Sequence, residues 1–140
     1  MIESKLKKIE AIIFIVNDKN IPQFLVCKRP PDFGGYWQFV TGKGNNDESL
    51  EETLRREIKE EIGVTNIEQI VDTDISFSFR NYNNAEVIEH VFLVKLSQDT
   101  TIKLNYEFEK YDWFLYQDAL GILSWANQKT NLEQTYQKYF

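Results

Sequence analysis

Gly42-Lys43-Gly44-Asn45-Asn46-Asp47-Glu48-Ser49-Leu50-Glu51-Glu52-Thr53-Leu54-Arg55-Arg56-Glu57-Ile58-Lys59-Glu60-Glu61-Ile62-Gly63-Val64 is the stretch that organises the chain. It opens as a glycine-bearing loop whose backbone can approach a phosphate closely. Residues 48–62 then contain neither proline nor glycine. Leu50, Leu54, Ile58 and Ile62 recur every four residues and lay one apolar stripe along a helix. Gly63 suits the left-handed position that ends such a helix. Glu57, Glu60 and Glu61 fall at i, i+3 and i+4, so one turn brings all three to the same side, with Glu51 and Glu52 upstream. That spacing leaves two readings open. One is a solvated acidic face, where like-charge repulsion costs roughly 0.2–0.5 kcal/mol per pair. The other is a site for a hard divalent cation such as Mg2+, which takes oxygen ligands and keeps several waters.

Upstream of this stretch the chain reads as strands. Residues 9–16 form a continuous β-rich run suited to burial on both faces. Asn17-Asp18-Lys19-Asn20 supplies a turn before a second strand over 23–27, and the proline- and glycine-rich segment 28–35 breaks any ladder. A short aromatic strand over 36–40 runs into the loop. Downstream, strands are expected at 67–71, 75–79, 87–96 and 111–115, with the turn Asn81-Tyr82-Asn83-Asn84 between the second and third. After Gln117-Asp118 the chain reads as helical to its end. Strands, helix, strands, helix predicts an α+β fold with a mixed sheet between helices.

The 140 residues are expected to form one domain, 1–140, and a chain of this size buries roughly two-thirds of its extended surface without a metal or disulfide staple. Apolar residues make up 42% and charged residues 27%, a globular balance. Sixteen basic against 22 acidic residues give a net charge of −6, which disfavours a nucleic-acid polymer or an anionic membrane as partner. A small phosphate ligand stays open, because a divalent cation offsets the acidic surface locally. The single cysteine, Cys27, excludes an internal disulfide and lies in an apolar run as a filler. The single histidine, His90, reads as a structural strand residue. Residues 11–16 are too short an apolar stretch to span a membrane, and a cytoplasmic protein, monomer or homodimer, is the expectation.

Read as one string, the opening stretch resembles the Nudix box, G-x5-E-x7-R-E-U-x-E-E-x-G-U with U aliphatic. Gly42, Glu48, Arg56, Glu57, Ile58, Glu60, Glu61, Gly63 and Val64 match every fixed position. The resemblance implies a Nudix hydrolase with an α/β/α sandwich fold, cleaving a phosphoanhydride with Mg2+ or Mn2+ and water. It makes Glu57, Glu60 and Glu61 metal ligands and puts Arg56 against Glu48. It gives Gly42 and Lys43 to the approach of the substrate phosphates, and Gly63 to the helix stop. Glu57 is the first choice for the group that takes the water's proton, with Arg56 and Glu60 completing the catalytic set. Asp47 departs from the glycine common before the first glutamate; as a residue tolerant of left-handed backbone and a good helix cap, it implies a slightly altered loop.

Outside the box, Tyr36-Trp37-Gln38-Phe39-Val40-Thr41-Gly42, Glu107 with Trp113, and Ser124-Trp125-Ala126-Asn127-Gln128 resemble the dihydroneopterin triphosphate pyrophosphatase (dATP pyrophosphohydrolase) branch. That likeness implies a pterin or nucleotide triphosphate as substrate and Glu107 as a further metal ligand, with Glu89 a lesser candidate. Lys28 and Arg29 are expected to meet phosphates, and Trp37 or Phe33 to stack on the ring; core packing and solvated charge are the alternatives for each, as for Arg80. A dinucleoside tetraphosphate hydrolase is the runner-up, ADP-ribose hydrolysis ranks below it, and a Nudix-like module that senses a ligand without catalysis is the reading of another class.

Overall fold

Strand β1 (Leu6–Val16) is the axis of the sheet in the computed structural model, which describes residues 6–140. Its alternation decides the two cores: Ile9, Ala11, Ile13 and Ile15 enter one apolar cluster, Ile12 and Phe14 the other. Six further strands follow: β2 (Pro22–Lys28), β3 (Trp37–Gln38), β4 (Val40–Lys43), β5 (Gln69–Arg80), β6 (Glu86–Lys95) and β7 (Lys110–Phe114). The helices are α1 (Leu50–Ile62), α2 (Tyr116–Ile122) and α3 (Ala126–Tyr139).

The strand order is β3-β2-β1-β6-β5, with β4 also on β1 and β7 also on β2. β1 and β6 run parallel and the other pairs antiparallel, so the sheet is mixed. Leu54, Ile58 and Ile62 of α1 complete the cluster on one face. Ala119 of α2 and Leu132 of α3 complete the cluster on the other. The result is the expected α/β/α sandwich.

One edge of β1 is shared. Residues 14–16 pair with β2, whereas 8–11 pair with β4. Beyond Phe24, β2 therefore parts from β1, and its Cys27 and Lys28 pair with β3 instead. The sheet splits there, and the split positions the site.

Four local expectations change. The run 36–40 is not one strand but the whole of β3 and the start of β4, because the two halves serve different partners across the split. The runs 67–71 and 75–79 are one strand, β5, interrupted by a bulge between Asp72 and Ser76. At that bulge Asp74 takes φ 59° and the buried Thr73 hydroxyl donates to the Val91 carbonyl at 2.6 Å. The C-terminal helical segment is two helices, broken at residues 123–125, where Ser124 N–H donates to the Trp37 carbonyl. Asp47 neither caps α1 nor adopts positive φ; Ser49 is the cap.

Candidate active site

Both ends of α1 are tied down. The Ser49 hydroxyl accepts from Glu52 N–H at 3.1 Å and the Glu52 carboxylate accepts from Ser49 N–H at 3.0 Å, a reciprocal capping box. At the far end Gly63 takes φ 70°, and a Cβ there would lie 3.0 Å from the Cβ of Lys103. The last carbonyls of a helix lack partners within it. Here those of Ile62 and Glu61 accept from Lys103 and Asn105 N–H, at 2.9 and 3.1 Å. These two bonds dock the loop before β7, and that loop delivers Glu107 to Glu61.

Arg56 is the hub of the opposite side. Its Nε and Nη2 grip the Glu48 carboxylate at 2.7 and 2.9 Å, Nη1 reaches Glu57 Oε1 at 2.8 Å and Glu60 Oε2 at 3.3 Å, and Nη2 also donates to the Lys43 carbonyl. Asn45 N–H and the Thr53 hydroxyl donate to Glu48 as well. Arg56 foremost, then the Asn45 bond, lower the Glu48 pKa to about 2. In return, Glu48 above all raises the Arg56 pKa. Glu48 is thus a spent carboxylate: it positions Arg56 and has little capacity left for a ligand.

Glu57 and Glu61 are in the contrary state. Glu57 lies beneath Gly42, where a Cβ would come within 2.2 Å of the glutamate's Cγ and Cδ, so only glycine leaves room for the carboxylate. Burial raises the Glu57 pKa against the pull of Arg56. Glu61 is buried, and desolvation, a hydrogen bond with Glu107 and the Glu57 charge push its pKa up to about 10. Its Oε2 has no hydrogen-bond partner among the described residues. Glu60 is exposed beside them.

Among the described residues, no group of three or more acidic, histidine or cysteine side chains encloses an ion as the side chains lie. Glu57 and Glu60 each turn an oxygen to Arg56. The donor set nonetheless suits Mg2+, which binds through one or two carboxylates and keeps waters and substrate phosphates as its other ligands. The orphaned Glu61 oxygen, with Glu107 and Glu57 in electrostatic contact, is what an added cation would relieve.

Across β4 lies a cleft of about 620 Å³ on the α3 face of the sheet. Thr41 lines it while Gly42, the next residue, backs Glu57, so the cleft and the carboxylates are separated by one step of a strand. Arg29 belongs to both: it lines the cleft, donates to Gln38 Oε1 at 3.3 Å, and its charge acts on Glu61. Lys28 is instead ion-paired with Glu109. Lys43 is exposed at the end of β4. Trp37 sits edge-on against Phe114, at 5.7 Å between centroids, and packs on the second core cluster away from the cleft. Phe33, Tyr36 and Trp125 line the cleft in its place, the last two with centroids 4.4 Å apart. Arg80 bonds the Asn84 carbonyl in its own hairpin. Cys27 is fully buried, and burial drives its thiol pKa up, so it is filler as expected. Glu89 faces the cleft and interacts with Glu10 and Lys8 rather than with the box carboxylates. Sequence reasoning missed Glu10; its signal was the one charge inside the otherwise apolar run 9–16.

A fold split around glycine and carboxylates of this kind defines a class, and the NUDIX domain family model matches residues 6–136. The chain belongs to the Nudix family and is a hydrolase of acid anhydrides. Nucleoside triphosphatase NudI of Escherichia coli O139:H28 is 31% identical over 127 residues, covering 80% of this chain and 87% of that protein. RNA pyrophosphohydrolase of Campylobacter jejuni is 30% identical over 127 residues, covering 84% and 81%. The solved structure of the E. coli dihydroneopterin triphosphate pyrophosphohydrolase superposes with a TM-score of 0.75 at 20% identity, over 96% of this chain and 97% of that one, a likeness of fold.

Proposed function

We propose that this enzyme hydrolyses a phosphoanhydride of a nucleoside triphosphate or of dihydroneopterin triphosphate, releasing pyrophosphate and a monophosphate. The observation that carries the reading is the unsatisfied carboxylate cluster, with the orphaned oxygen of Glu61, one strand step from a cleft of about 620 Å³ that accommodates a single nucleoside. The likeness to nucleoside triphosphatase NudI supports the substrate class. Glu57, Glu60, Glu61 and Glu107 are the ligands we assign to Mg2+ or Mn2+. A bound divalent cation supplies neutralisation of the phosphate oxygens and lowers the pKa of the attacking water. Glu57, whose Oε1 is held by Arg56, takes the water's proton at Oε2. The water oxygen forms the new bond to phosphorus as the bridging P–O bond breaks, and pyrophosphate carries off that electron pair. Arg29 stands between cleft and cluster, placed to grip a phosphate bidentately. Among the described residues no helix is long and apolar enough to cross a membrane.

The test is turnover with Mg2+ across dihydroneopterin triphosphate, the dNTPs, diadenosine tetraphosphate, ADP-ribose and a 5′-triphosphorylated RNA, with products identified by mass. Pyrophosphate plus a monophosphate from the pterin or a dNTP is the expected result. Cleavage of the dinucleotide or the RNA alone overturns it in favour of those substrates; binding without cleavage overturns it in favour of a sensing module.

A further inference from the structure

Glu10 and Glu89 form a carboxyl pair on the α3 face of the sheet, opposite the face that α1 covers, 100% and 97% buried respectively. They sit on the adjacent parallel strands β1 and β6, where Glu89 is registered with Lys8 and Glu10 with Val91. The two side chains hydrogen-bond each other, which requires a proton on one of them. Glu10 is the deeper, and Asn131 of α3 donates to both its oxygens at 3.3 and 3.2 Å. Burial and the Glu89 charge raise the Glu10 pKa well above its ordinary value, so the proton rests on Glu10. Glu89 lines the cleft and is ion-paired there with Lys8, whose Nζ lies 3.6 Å from its carboxylate.

A buried pair of acids is costly and contributes nothing to the phosphate chemistry on the other side of β4. Its setting points elsewhere. The cleft is lined by aromatic rings, Tyr36 and Trp125 against each other and Phe77, the cross-strand neighbour of Glu89 on β5. A flat heterocycle sliding between them meets Glu89 and Lys8 at its edge. Toward the cleft Glu89 only accepts hydrogen bonds, and Lys8 only donates. A carbonyl beside a ring N–H and an exocyclic amino group is the complementary edge: the carbonyl faces Lys8, and the two N–H groups face the carboxylate. Guanine and pterin carry that edge. Adenine reverses it, hypoxanthine lacks the amino group, and uracil puts a second carbonyl against Glu89.

We propose that Glu89, held in place by Glu10 and Asn131, is the specificity-determining residue of the cleft and reads the 2-amino-4-oxopyrimidine edge of a guanine or pterin ring. The inference rests on the triphosphate reading above. A buried carboxylate left without its N–H partners discriminates by at least about tenfold per missing donor pair. The experiment compares kcat/KM for dGTP, dITP, dATP and dUTP, together with dihydroneopterin triphosphate, in the wild type and in Glu89→Gln. The wild type is expected to favour dGTP over dITP by about tenfold and over dATP and dUTP by more. Turnover of the pterin at or above dGTP identifies the pterin as the source of the edge; the reverse identifies the nucleotide. Glu89→Gln, which donates as well as accepts, is expected to bring the dGTP to dITP ratio of kcat/KM close to one. A wild type without the preference overturns the inference whatever the variant does, including a variant that fails to fold, and so does a Glu89→Gln enzyme that keeps it. Both results leave triphosphate hydrolysis standing, whereas a wild type inactive on every triphosphate overturns the reaction and the inference with it.

Discussion

Glu48 and Glu61 come from the same short stretch of chain and end in opposite electrostatic states. Glu48 has a bidentate arginine, a backbone N–H and a hydroxyl, and its pKa is lowered to about 2. Glu61 has a second carboxyl against it and, among the described residues, no cation bonded to it and an oxygen with no partner, and its pKa is raised to about 10. The difference teaches which acids are scaffold and which are tools. A carboxylate already saturated with donors orients its neighbours, whereas one left wanting charge is where a cation gains most by binding.

The sharpest way to break this division is Glu57→Gln. Loss of the group assigned to take the proton should lower turnover by about 10²- to 10⁴-fold, with the circular dichroism spectrum unchanged because the apolar stripe of α1 is intact. Near-normal turnover would remove Glu57 from the chemistry. Glu48→Gln should cost less, about 10- to 100-fold, because it loosens Arg56 without touching the reacting atoms. The loss should be matched by weaker Mg2+ activation; a loss as deep as that of Glu57→Gln would erase the scaffold-versus-tool distinction.

The smallest effect is on stability, and its sign differs at the two sites. Between pH 4.5, the ordinary value, and about 10, folded Glu61 retains a proton that the unfolded chain releases. Its contribution to stability is therefore present below pH 4.5 and lost as pH rises toward 10. For Glu48, with folded value about 2 against 4.5, the contribution is present above pH 4.5 and lost as pH falls toward 2. Thermal midpoints measured in a chelator should show that Glu61→Gln flattens the decline between pH 6 and 9, and that Mg2+ stabilises the wild type more at pH 9 than at pH 6. An unchanged slope in Glu61→Gln would show that Glu61 ionises freely in the fold.

Legibility in the sequence followed the range of the interactions. Helix α1 and its stop at Gly63 span a few turns of one helix, so spacing alone outlined them, while the pairing of Arg56 with Glu48 came with the resemblance to the Nudix box. The split of the sheet was hidden, because β3 and β4 lie one residue apart in the chain and pair with different neighbours. Glu107 was reachable only through resemblance, since two backbone bonds to the end of α1 bring it to Glu61. Lys28 and Trp37 looked available for substrate until Glu109 and Phe114, both remote in sequence, occupied them. The Glu10–Glu89–Asn131 arrangement draws on β1, β6 and α3 and had no local pattern beyond one misplaced charge.

The parallel pairing of β1 with β6 also has a consequence for biosynthesis. Leu6 is registered with Val87 and Phe14 with Lys95, so one flank of the first strand waits for a partner some 80 residues later in the chain. At ribosomal rates that delay is on the order of 5–15 s, long compared with strand pairing once both partners exist. The other flank is covered sooner, when β2 and β4 emerge. A nascent chain of this protein therefore passes through a stage in which Ile9, Ile12 and Ile13, buried at maturity, lie along an open edge. That is the stage at which chaperone capture, or association with a second nascent chain, competes with folding.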